Sequence, residues 1–459
     1  MESLKYRQDA FAGRFAIGEA DITPSVGIYA RNWGAATHDQ AEGVHRPLMM
    51  QALVIGRQDE ALDTTDVLVL LTADLGWWKN QSDERQLRNA ILTETRLKPH
   101  QLLLCLSHTH AGPSICRDDA DKPGGAYIAP YLERVKETAV KLILEGQQRL
   151  QPATLTWGYG VSDLATNRDL VQDGQYWVGY NPEAKADTTL LVGCIRDDVG
   201  KVLGTVVNYA CHPTTLAHGN RLLSPDFVGA MREVVSTTTN APCLFLQGAS
   251  GELAPREQYI ADTEVVDAHG RKLGYAVLAT LESLLPNHTR LALTGSLTSG
   301  APLAIWEYEP DPIATAFSGS VVNIEVNLKE LPSLSEIQAE WEQCPDRVLK
   351  DRLWRKLNTR RAVGEGQTTQ LEVWVWKLGD AWLVAQANEA YSDFQTALRA
   401  AYPGRAIGVV NIANGYIGYL PPAHAYNRDQ YAVWQTPYER GSLEKLISGT
   451  LDALKSEAP

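Results

Sequence analysis

The chain has few of the features that mark nucleic-acid-binding or membrane-spanning proteins. Its 459 residues include 42 lysines and arginines against 55 aspartates and glutamates, a formal net charge of −13. This charge repels phosphate backbones and anionic membrane surfaces, so we expect no nucleic-acid partner. No run of about 18 apolar residues could cross a bilayer, and we expect no stable membrane insertion. We therefore expect a small-molecule substrate as the binding partner. Nothing in the sequence indicates the oligomeric state.

Cysteine and phenylalanine are also scarce. The six cysteines show no CxxC spacing and several lie in apolar runs, so we expect buried free thiols rather than disulfides or a thiolate metal site. Six phenylalanines against 12 tryptophans and 18 tyrosines suit polar ligands better than acyl chains. The N-terminus is charged where a signal peptide is apolar, which predicts a cytoplasmic protein, or a secreted or periplasmic one if a leader was removed.

Apolar runs of strand length alternate with helix-like segments in the first half of the chain. The runs cover residues 67–74, 102–107, 202–210 and 243–247. This alternation predicts an α/β protein with a mixed, largely buried β-sheet flanked by helices. Because no repeat or linker interrupts the sequence, we expect one large catalytic domain over residues 1–459, with its core at about 15–430.

Three local patterns predict particular elements. Ser224 and Pro225 suit the N-cap and first turn of a helix. Residues 334–361 are charged and helical, and Ser333 with Glu336 forms a possible capping box. Residues 371–389 read as a β-hairpin with its turn at 378–380.

Polar and titratable residues recur where apolar runs end, which is where open α/β sheets present their ligand sites. His108 and His110 would point to one side of an extended segment, and His212 follows another run. Imidazoles with an oxygen ligand are typical of zinc sites. Each histidine alone could equally be a hydrogen-bonded turn residue, and Glu389 a solvated loop acid. The full set of run-end residues is Asp74, His108, His110, His212, Gln247, Glu252 and Glu389.

Two tyrosines lie among glycines near the end of the chain. Tyr416 and Tyr419 occur in ANGYIGY, where glycine lets the backbone approach a neighbour closely. Tyrosines in a turn usually serve packing, but a metal can lower the pKa of a tyrosine and bind it. The residues alone do not choose between Tyr416 and Tyr419.

Taken together, the motifs resemble those of the neutral (non-lysosomal) ceramidases, which are zinc-dependent N-acylsphingosine amidohydrolases. The resemblance covers residues 15–430 and rests on GEADITPSVG, SHTHAGP, ATNRD, NYACHPTT, FLQGASGELAP and ANGYIGY. It implies one zinc ion per chain that polarises an amide carbonyl and activates water. The implied metal ligands are His108, His212, Glu389 and Tyr419; the implied catalytic residues are His110, Arg168 and Tyr419; the implied substrate contacts are Tyr416, Ser250, Ala254 and Arg168.

The sequence departs from the family pattern in two places. Ala254 stands where ceramidases carry a serine, so either Ser250 supplies the hydroxyl or the substrate lacks the sphingoid head group. The sequence also ends about 40 residues after Tyr419, which indicates a short member without the immunoglobulin-like C-terminal domain. We therefore expect a zinc-dependent amidohydrolase whose substrate is not ceramide. The alternatives are a zinc-dependent esterase or lactonase for a carbohydrate or other polar substrate, and a non-catalytic zinc-containing binding protein.

Further residues near these motifs have open roles. Asp74 and Asp226 could each cap a helix or hold a ligand ring. His45 and His218 are candidates for the pocket wall, and Trp306 for a position near its floor.

Overall fold

The computed structural model describes residues 4–58 and 66–456, which fold into four stacked layers. Two β-sheets pack face to face, and helices cover the outer face of each sheet. The predicted mixed sheet flanked by helices is therefore confirmed, but the second sheet was not foreseen. That the chain forms a single domain stays a prediction.

The described residues contain the following strands and helices. The strands are β1 Lys5–Tyr6, β2 Ala10–Asp21, β3 Gly43–Val44, β4 Met49–Gly56, β5 Val67–Ala73, β6 Leu102–Leu106, β7 Gln151–Val161, β8 Ala165–Asn167, β9 Asp169–Gln172, β10 Gln175–Val178, β11 Thr189–Arg196, β12 Val202–Tyr209, β13 Leu222–Leu223, β14 Cys243–Gln247, β15 Leu253–Pro255, β16 Thr289–Ser299, β17 Ala301–Pro310, β18 Phe317–Asn327, β19 Thr368–Leu378, β20 Ala381–Gln386, β21 Glu389–Ala390, β22 Ile407–Val410 and β23 Tyr419–Leu420. The α-helices are α1 Gln81–Thr95, α2 Ile128–Gln148, α3 Phe227–Thr239, α4 Thr263–Glu282, α5 Leu334–Gln343, α6 Arg347–Val363, α7 Asp393–Ala401, α8 Tyr431–Gln435 and α9 Ser442–Ser456. Short 3-10 helices lie at Pro99–Gln101, Arg117–Asp119, Gly125–Tyr127 and Ala423–Asn427.

The larger sheet has eight strands in the order β14-β12-β11-β7-β2-β4-β5-β6. The outermost pairs, β12 with β14 and β5 with β6, are parallel, and the pairs between them are antiparallel. Side chains alternate between two buried faces: Leu103 and Cys105 point to the second sheet, while Leu104 and Leu106 point to helices. Because both faces are covered, these strands read in the sequence as unbroken apolar runs.

The second sheet has the order β18-β19-β20-β22, with β20 and β22 parallel. Trp374 and Trp376 of β19 pack against the larger sheet, and Val373 and Val375 pack against the helices on the other side. Helices α1, α2, α3 and α4 cover the outer face of the larger sheet, and α7 and α9 cover the second. The parallel pairs of both sheets direct their carboxyl ends toward a common region of the molecule, where the site lies.

Two of the predicted elements need correction. Helix α3 begins at Phe227 with Asp226 as its N-cap, so Ser224 and Pro225 lie before the helix. The segment 334–361 forms two helices rather than one, because Pro345 cannot donate the hydrogen bond that would continue α5. The capping box of Ser333 and Glu336 is confirmed at the start of α5.

The hairpin of β19 and β20 is confirmed, and its turn passes through Gly379 at φ 63°. A second hairpin, β16 with β17, extends from the body of the fold with most of its residues exposed. Trp306 belongs to this hairpin and is 42% exposed, so its predicted place near the pocket floor is wrong. The six cysteines are buried and free, as predicted. None of the helices in the described ranges is long and apolar enough to span a membrane.

Candidate metal centre

The run-end histidines and Glu389 converge in one buried cluster. His108 follows β6, His212 follows β12 and Glu389 begins β21 directly after β20. The ring centroids of His108 lie 4.9 Å from those of both His110 and His212. The sequence placed these residues at strand ends, but their strands are not paired: β6 and β12 lie toward opposite ends of the strand order of the larger sheet, and β20 belongs to the second sheet.

His108 reaches the cluster through an unusual backbone conformation. It adopts φ 65°, a left-handed value that is uncommon for residues other than glycine. Its backbone N–H donates to the Leu75 carbonyl at 2.9 Å, and its Nδ1 lies 3.1 Å from the Gly76 carbonyl. The rings of His108 and His110 do meet, but through this turn and not through the extended alternation that we predicted. Because Nδ1 faces a carbonyl, it carries the proton and leaves the Nε2 lone pair for the centre.

His212 is oriented in the same way. Its Nδ1 lies 2.7 Å from the Ser250 carbonyl oxygen, so this nitrogen donates. Its Nε2 then carries a lone pair, yet lies 2.8 Å from Oε2 of Glu389. Burial, followed by the nearby Arg168, lowers the pKa of His212 to about 4, so the ring is neutral at pH 7. Two lone pairs thus face each other with no proton to share, and a cation between them would satisfy both.

Glu389 lies at the middle of the cluster. Parallel pairing of β21 with β23 sets Glu389 beside Tyr419, and its backbone N–H donates to the Gly418 carbonyl at 2.9 Å. The Tyr416 hydroxyl donates to Oε1 at 2.8 Å, while Oε2 faces His108 and His212. Burial alone would raise the pKa of Glu389, but the two imidazoles outweigh it and hold this pKa well below its usual range. The carboxyl group is therefore ionised.

The donor atoms fit the spacing of a small divalent ion. Oε2 of Glu389 lies 3.5 Å from His108 Nε2 and 2.8 Å from His212 Nε2. Ligand atoms at about 2.0–2.1 Å from a tetrahedral zinc ion are separated by roughly 3.3 Å. Nitrogen atoms of His108, His110 and His212 also lie within 4.8 Å of one another. The described residues thus provide two to three imidazoles and one carboxylate, a donor set that suits zinc.

His110 differs from the other two histidines in its hydrogen bonding. Its Nε2 lies 3.4 Å from Nε2 of His108, and its buried Nδ1 has no hydrogen-bond partner among the described residues. The ring lies between Trp33 and Trp77, at centroid distances of 5.2 and 4.7 Å. Burial and the neighbouring His108 and His212 hold the pKa of His110 well below its usual value. The ring is neutral at pH 7 and can accept a proton.

Arg168 and Tyr419 form a pair beside the histidines. A terminal nitrogen of Arg168 donates to the Tyr419 hydroxyl at 3.0 Å and to the Gly251 carbonyl at 2.8 Å. The same nitrogen lies 3.2 Å from Nε2 of His212. Burial, with Glu389 next, raises the pKa of Tyr419 well above its usual value, so the phenol is protonated without a metal. The two tyrosines are now distinguished, since Tyr416 supports Glu389 and Tyr419 faces Arg168.

Ser250 and Ala254 lie behind the centre. The Ser250 hydroxyl accepts a hydrogen bond from Gln247 at 2.6 Å and lies 3.3 Å from Nδ1 of His212, on the ring edge away from Glu389. Ala254 is fully buried in β15, opposite Thr166 of β8. A substrate contact by either residue stays a prediction, and the position of Ser250 favours a role in orienting His212.

The residues with open roles are mostly structural. Asp226 caps α3 and also accepts from the Leu216 N–H, while Asp74 forms two hydrogen bonds with Arg232 of α3. His45 lies between Ser224 and Asp267. His218 is exposed to solvent.

The aromatic rings around His110 were missed by sequence reasoning. Trp77 follows β5 in the same way that His108 follows β6, so the run-end pattern could have identified it. Trp33 and Tyr259 lie in irregular segments, and their rings are 5.6 Å apart. Nothing in their local sequence marks them as neighbours of a metal centre.

Comparisons with known proteins agree with this architecture. No protein-family model matches the chain. The neutral ceramidase of Pseudomonas aeruginosa is 25% identical over 277 residues, which are 55% of this chain and 38% of that protein. The alignment thus spans well under two thirds of the relative.

Two solved structures share the fold over nearly the whole chain. One is a ceramidase complexed with C2, at TM-score 0.68 and 17% identity, covering 98% of this chain and 76% of that one. The other is neutral ceramidase from Pseudomonas aeruginosa, at TM-score 0.65 and 18% identity, with 98% and 75% covered. The predicted resemblance is therefore confirmed, and the chain is ceramidase-like in sequence and in fold.

Proposed function

We propose that the protein is a zinc-dependent hydrolase that cleaves the amide bond of a small N-acyl substrate other than ceramide. The observation that carries the proposal is the 2.8 Å approach of His212 Nε2 to Glu389 Oε2. Nε2 of His212 bears a lone pair because the proton of the ring is on Nδ1, which donates a hydrogen bond to the Ser250 carbonyl. The carboxylate oxygen of Glu389 bears lone pairs as well. Such an arrangement is stabilised by a bound cation.

His108, His212 and Glu389 would hold the metal ion, and Tyr419 would complete the set. Zinc suits two neutral imidazoles with oxygen ligands. A cation lowers the pKa of a nearby tyrosine, which would offset the upward shift that burial imposes on Tyr419. When bound, zinc polarises a carbonyl oxygen and lowers the pKa of water to about 7.

His110 is the proposed proton carrier. Its neighbour His108 has Nδ1 bonded to a main-chain carbonyl, whereas Nδ1 of His110 has no partner among the described residues. The ring of His110 is neutral at pH 7, so a lone pair is free to take up a proton from water, and its low pKa favours passing that proton on to the more basic leaving amine. A purely structural metal site has no use for a histidine in this position.

Arg168 is proposed to stabilise the charge that develops on the carbonyl oxygen. Its guanidinium is held by the Gly251 carbonyl and directed at the Tyr419 hydroxyl. The guanidinium can donate a hydrogen bond to that oxygen, which favours a transition state that is more negative than the substrate. Removal of one such donor typically costs about 10²–10³ in rate.

The substrate is proposed to lack the sphingoid head group. Ala254 provides no hydroxyl, and the Ser250 hydroxyl is already engaged by Gln247 and His212 behind the ring. The resemblance assigns a serine to this position in ceramidases, so a contact that the family uses is missing. Cleavage of an amide bond is kept because Arg168 and His110 both lie beside the proposed metal ligands, at His212 and His108 respectively.

Metal analysis tests the first part of the proposal. Protein purified without chelator should contain about one equivalent of zinc, and His108→Ala should contain less than about a tenth of that. His218→Ala is the matched control, because this exposed histidine lies outside the cluster and its loss should leave the zinc content unchanged. Equal zinc in His108→Ala and wild type would contradict the proposal.

Matched N-acyl and O-acyl probes test the bond. We expect release of the amine from the N-acyl probe in the zinc-loaded enzyme, with loss of that activity in His110→Ala while zinc is retained. Hydrolysis of the O-acyl probe with no amide turnover would instead favour an esterase. A zinc-loaded protein that turns over neither probe would favour a binding protein.

A further inference from the structure

A cavity of about 600 Å³ adjoins the metal centre. Helix α6 forms one wall, and loops around Tyr29–Asp39 and Asp118–Lys122 form the others. Trp33 lines this cavity and also contacts His110, with ring centroids 5.2 Å apart. The volume is in the range of small-molecule sites, which are roughly 300–1,000 Å³.

Helix α6 is strongly basic although the protein is acidic. Its 17 residues, RVLKDRLWRKLNTRRAV, include seven lysines and arginines and one aspartate, whereas the chain as a whole carries −13. Four of these cations, at positions three to six residues apart, line the cavity: Arg347, Lys350, Arg355 and Arg361. The helix therefore places positive charge beside a site whose own ligands are neutral or acidic.

Three ion pairs lie among the other charges of the cavity. Arg31 pairs with Asp351 at 3.0 Å, Lys79 pairs with Asp119 at 3.2 Å, and Arg347 pairs with Asp39. Two more acids, Asp118 and Asp121, line the wall opposite α6, with Lys122 next to them. The acidic groups thus lie mainly in ion pairs or on the far wall.

Three cations of the α6 wall, Lys350, Arg355 and Arg361, have no carboxylate partner within the described residues, and Arg355 is the one that lies next to the histidine cluster. It forms no ion pair with a carboxylate in residues 4–58 and 66–456, and its hydrogen bond to the Asn32 carbonyl is long, at 3.4 Å. Its guanidinium lies 5.7 Å from the centroid of the Trp77 ring, which in turn lies 4.7 Å from the His110 ring. A single aromatic ring therefore separates Arg355 from the proposed proton carrier.

We propose that this cavity, which we call the Arg355 cavity, binds an anionic group of the substrate. The inference rests on the proposed function, which it deepens by naming the substrate class: small N-acyl amides that carry a carboxylate. A planar guanidinium can donate two parallel hydrogen bonds to such a group. Trp33 and Trp77 would flank the uncharged part between this anion and the scissile carbonyl.

Two matched substrate pairs test the inference. N-butyrylglycine carries a carboxylate on the amine side, where N-butyrylglycinamide carries an uncharged carboxamide. N-benzylsuccinamate and N-benzylsuccinamide differ in the same way on the acyl side. We expect the zinc-loaded enzyme to prefer the anion in at least one pair by about tenfold or more in kcat/KM, since hydrogen bonds to charged groups are strong.

Variants on one helix assign that preference to Arg355. Arg355→Ala should abolish the preference mainly through KM, and Arg355→Lys should restore part of it. Arg352→Ala removes the same charge from the exposed side of α6 and should leave the preference intact. An equal preference in Arg355→Ala and wild type, or no preference in either pair, would overturn the inference.

Calorimetric titration separates this inference from the proposed function. The carboxylate members of both pairs, and inorganic phosphate as a free anion, are titrated into the zinc-loaded wild type and Arg355→Ala. Binding that depends on Arg355 without hydrolysis would retain the anion site and reject the amidase. Hydrolysis of all four amides at equal rates would retain the amidase and reject the anion site, and absence of both binding and hydrolysis would reject both. Phosphate binding alone, with no carboxylate binding, would also overturn the proposed substrate class.

Discussion

The pockets around Glu389 and Glu252 each contain a buried carboxyl group, which is ionised in the first and protonated in the second. Glu389 faces two imidazoles and its pKa lies well below the usual range. Glu252 accepts from the backbone N–H and hydroxyl of Ser392, and burial raises its pKa to about 8. Both acids follow buried strands in the sequence, so their position along a strand does not determine their charge. Their charge is set by the groups opposite them, which are imidazoles for Glu389 and a serine for Glu252.

Asp74 is a third carboxylate at the end of a buried strand. It is bonded to Arg232 at 2.8 and 2.9 Å and accepts from the Met49 N–H at 2.9 Å. Its partner is a side chain of α3, whereas Glu389 faces imidazoles and Glu252 a hydroxyl. Three acids in one sequence pattern thus have three different roles, and substitution can separate them.

The largest effect is expected at Glu389. Glu389→Gln removes the negative charge that lies opposite the two histidine lone pairs, so zinc affinity should fall by more than about a hundredfold. Substitution of groups that only orient a metal ligand already lowers metal affinity by about 10–100-fold. Amidase activity should fall with it. Zinc content and kcat/KM measure both effects, and Glu252→Gln is the control. If Glu389→Gln bound zinc as tightly as wild type, Glu389 would belong with Asp74 as a structural acid.

A smaller effect, on stability alone, is expected at Asp74. Asp74→Ala leaves the buried Arg232 without its partner, which typically costs 3–5 kcal/mol, so the urea midpoint should drop. The double variant Asp74→Leu with Arg232→Met should recover most of that loss because no charge remains buried. Zinc content of the folded protein should not change. A loss below about 1 kcal/mol would show that this ion pair is dispensable.

The smallest effect is a change of pH dependence at Glu252. The folded-state pKa of about 8 exceeds the unfolded value of about 4.3, so the folded protein binds a proton that the unfolded chain releases. The stability that this proton supplies is complete below about pH 4 and is lost as the pH rises through 8. Relative to Glu252→Gln, the wild-type Tm should therefore decline between pH 5 and 8. A constant difference in Tm over that range would mean that Glu252 is ionised like Glu389.

The sequence predicted the strands and the edge at which the site lies. Runs such as Leu102–Leu106 are apolar at every position because both faces of the sheet are covered, and this pattern is legible without a structure. The residues that follow such runs, His108 and His212 above all, then fall at the carboxyl ends of buried strands. These features depend on short stretches of chain, so local patterns reveal them.

The second sheet and the division of roles among the acids could not be predicted in the same way. Trp374 and Trp376 alternate with valines as any buried strand would, and nothing local says that their partner is another sheet. Arg232 lies 158 residues from Asp74 in sequence. Arg355 belongs to a charged helix whose direction is set by packing. Such neighbours are fixed only by the tertiary structure.

The sequence distances within the metal centre have a consequence for the order of folding. Glu389 and His212 are 177 residues apart, and Arg168 and Tyr419 are 251 apart. Loop closure over such lengths must precede any gain from the contacts, so we expect the centre to form late, after both sheets have stacked. A metal ion bound there would therefore not nucleate this fold as zinc does in a zinc finger, where the ligands are close in sequence. It would only stabilise a structure that hydrophobic packing has already built.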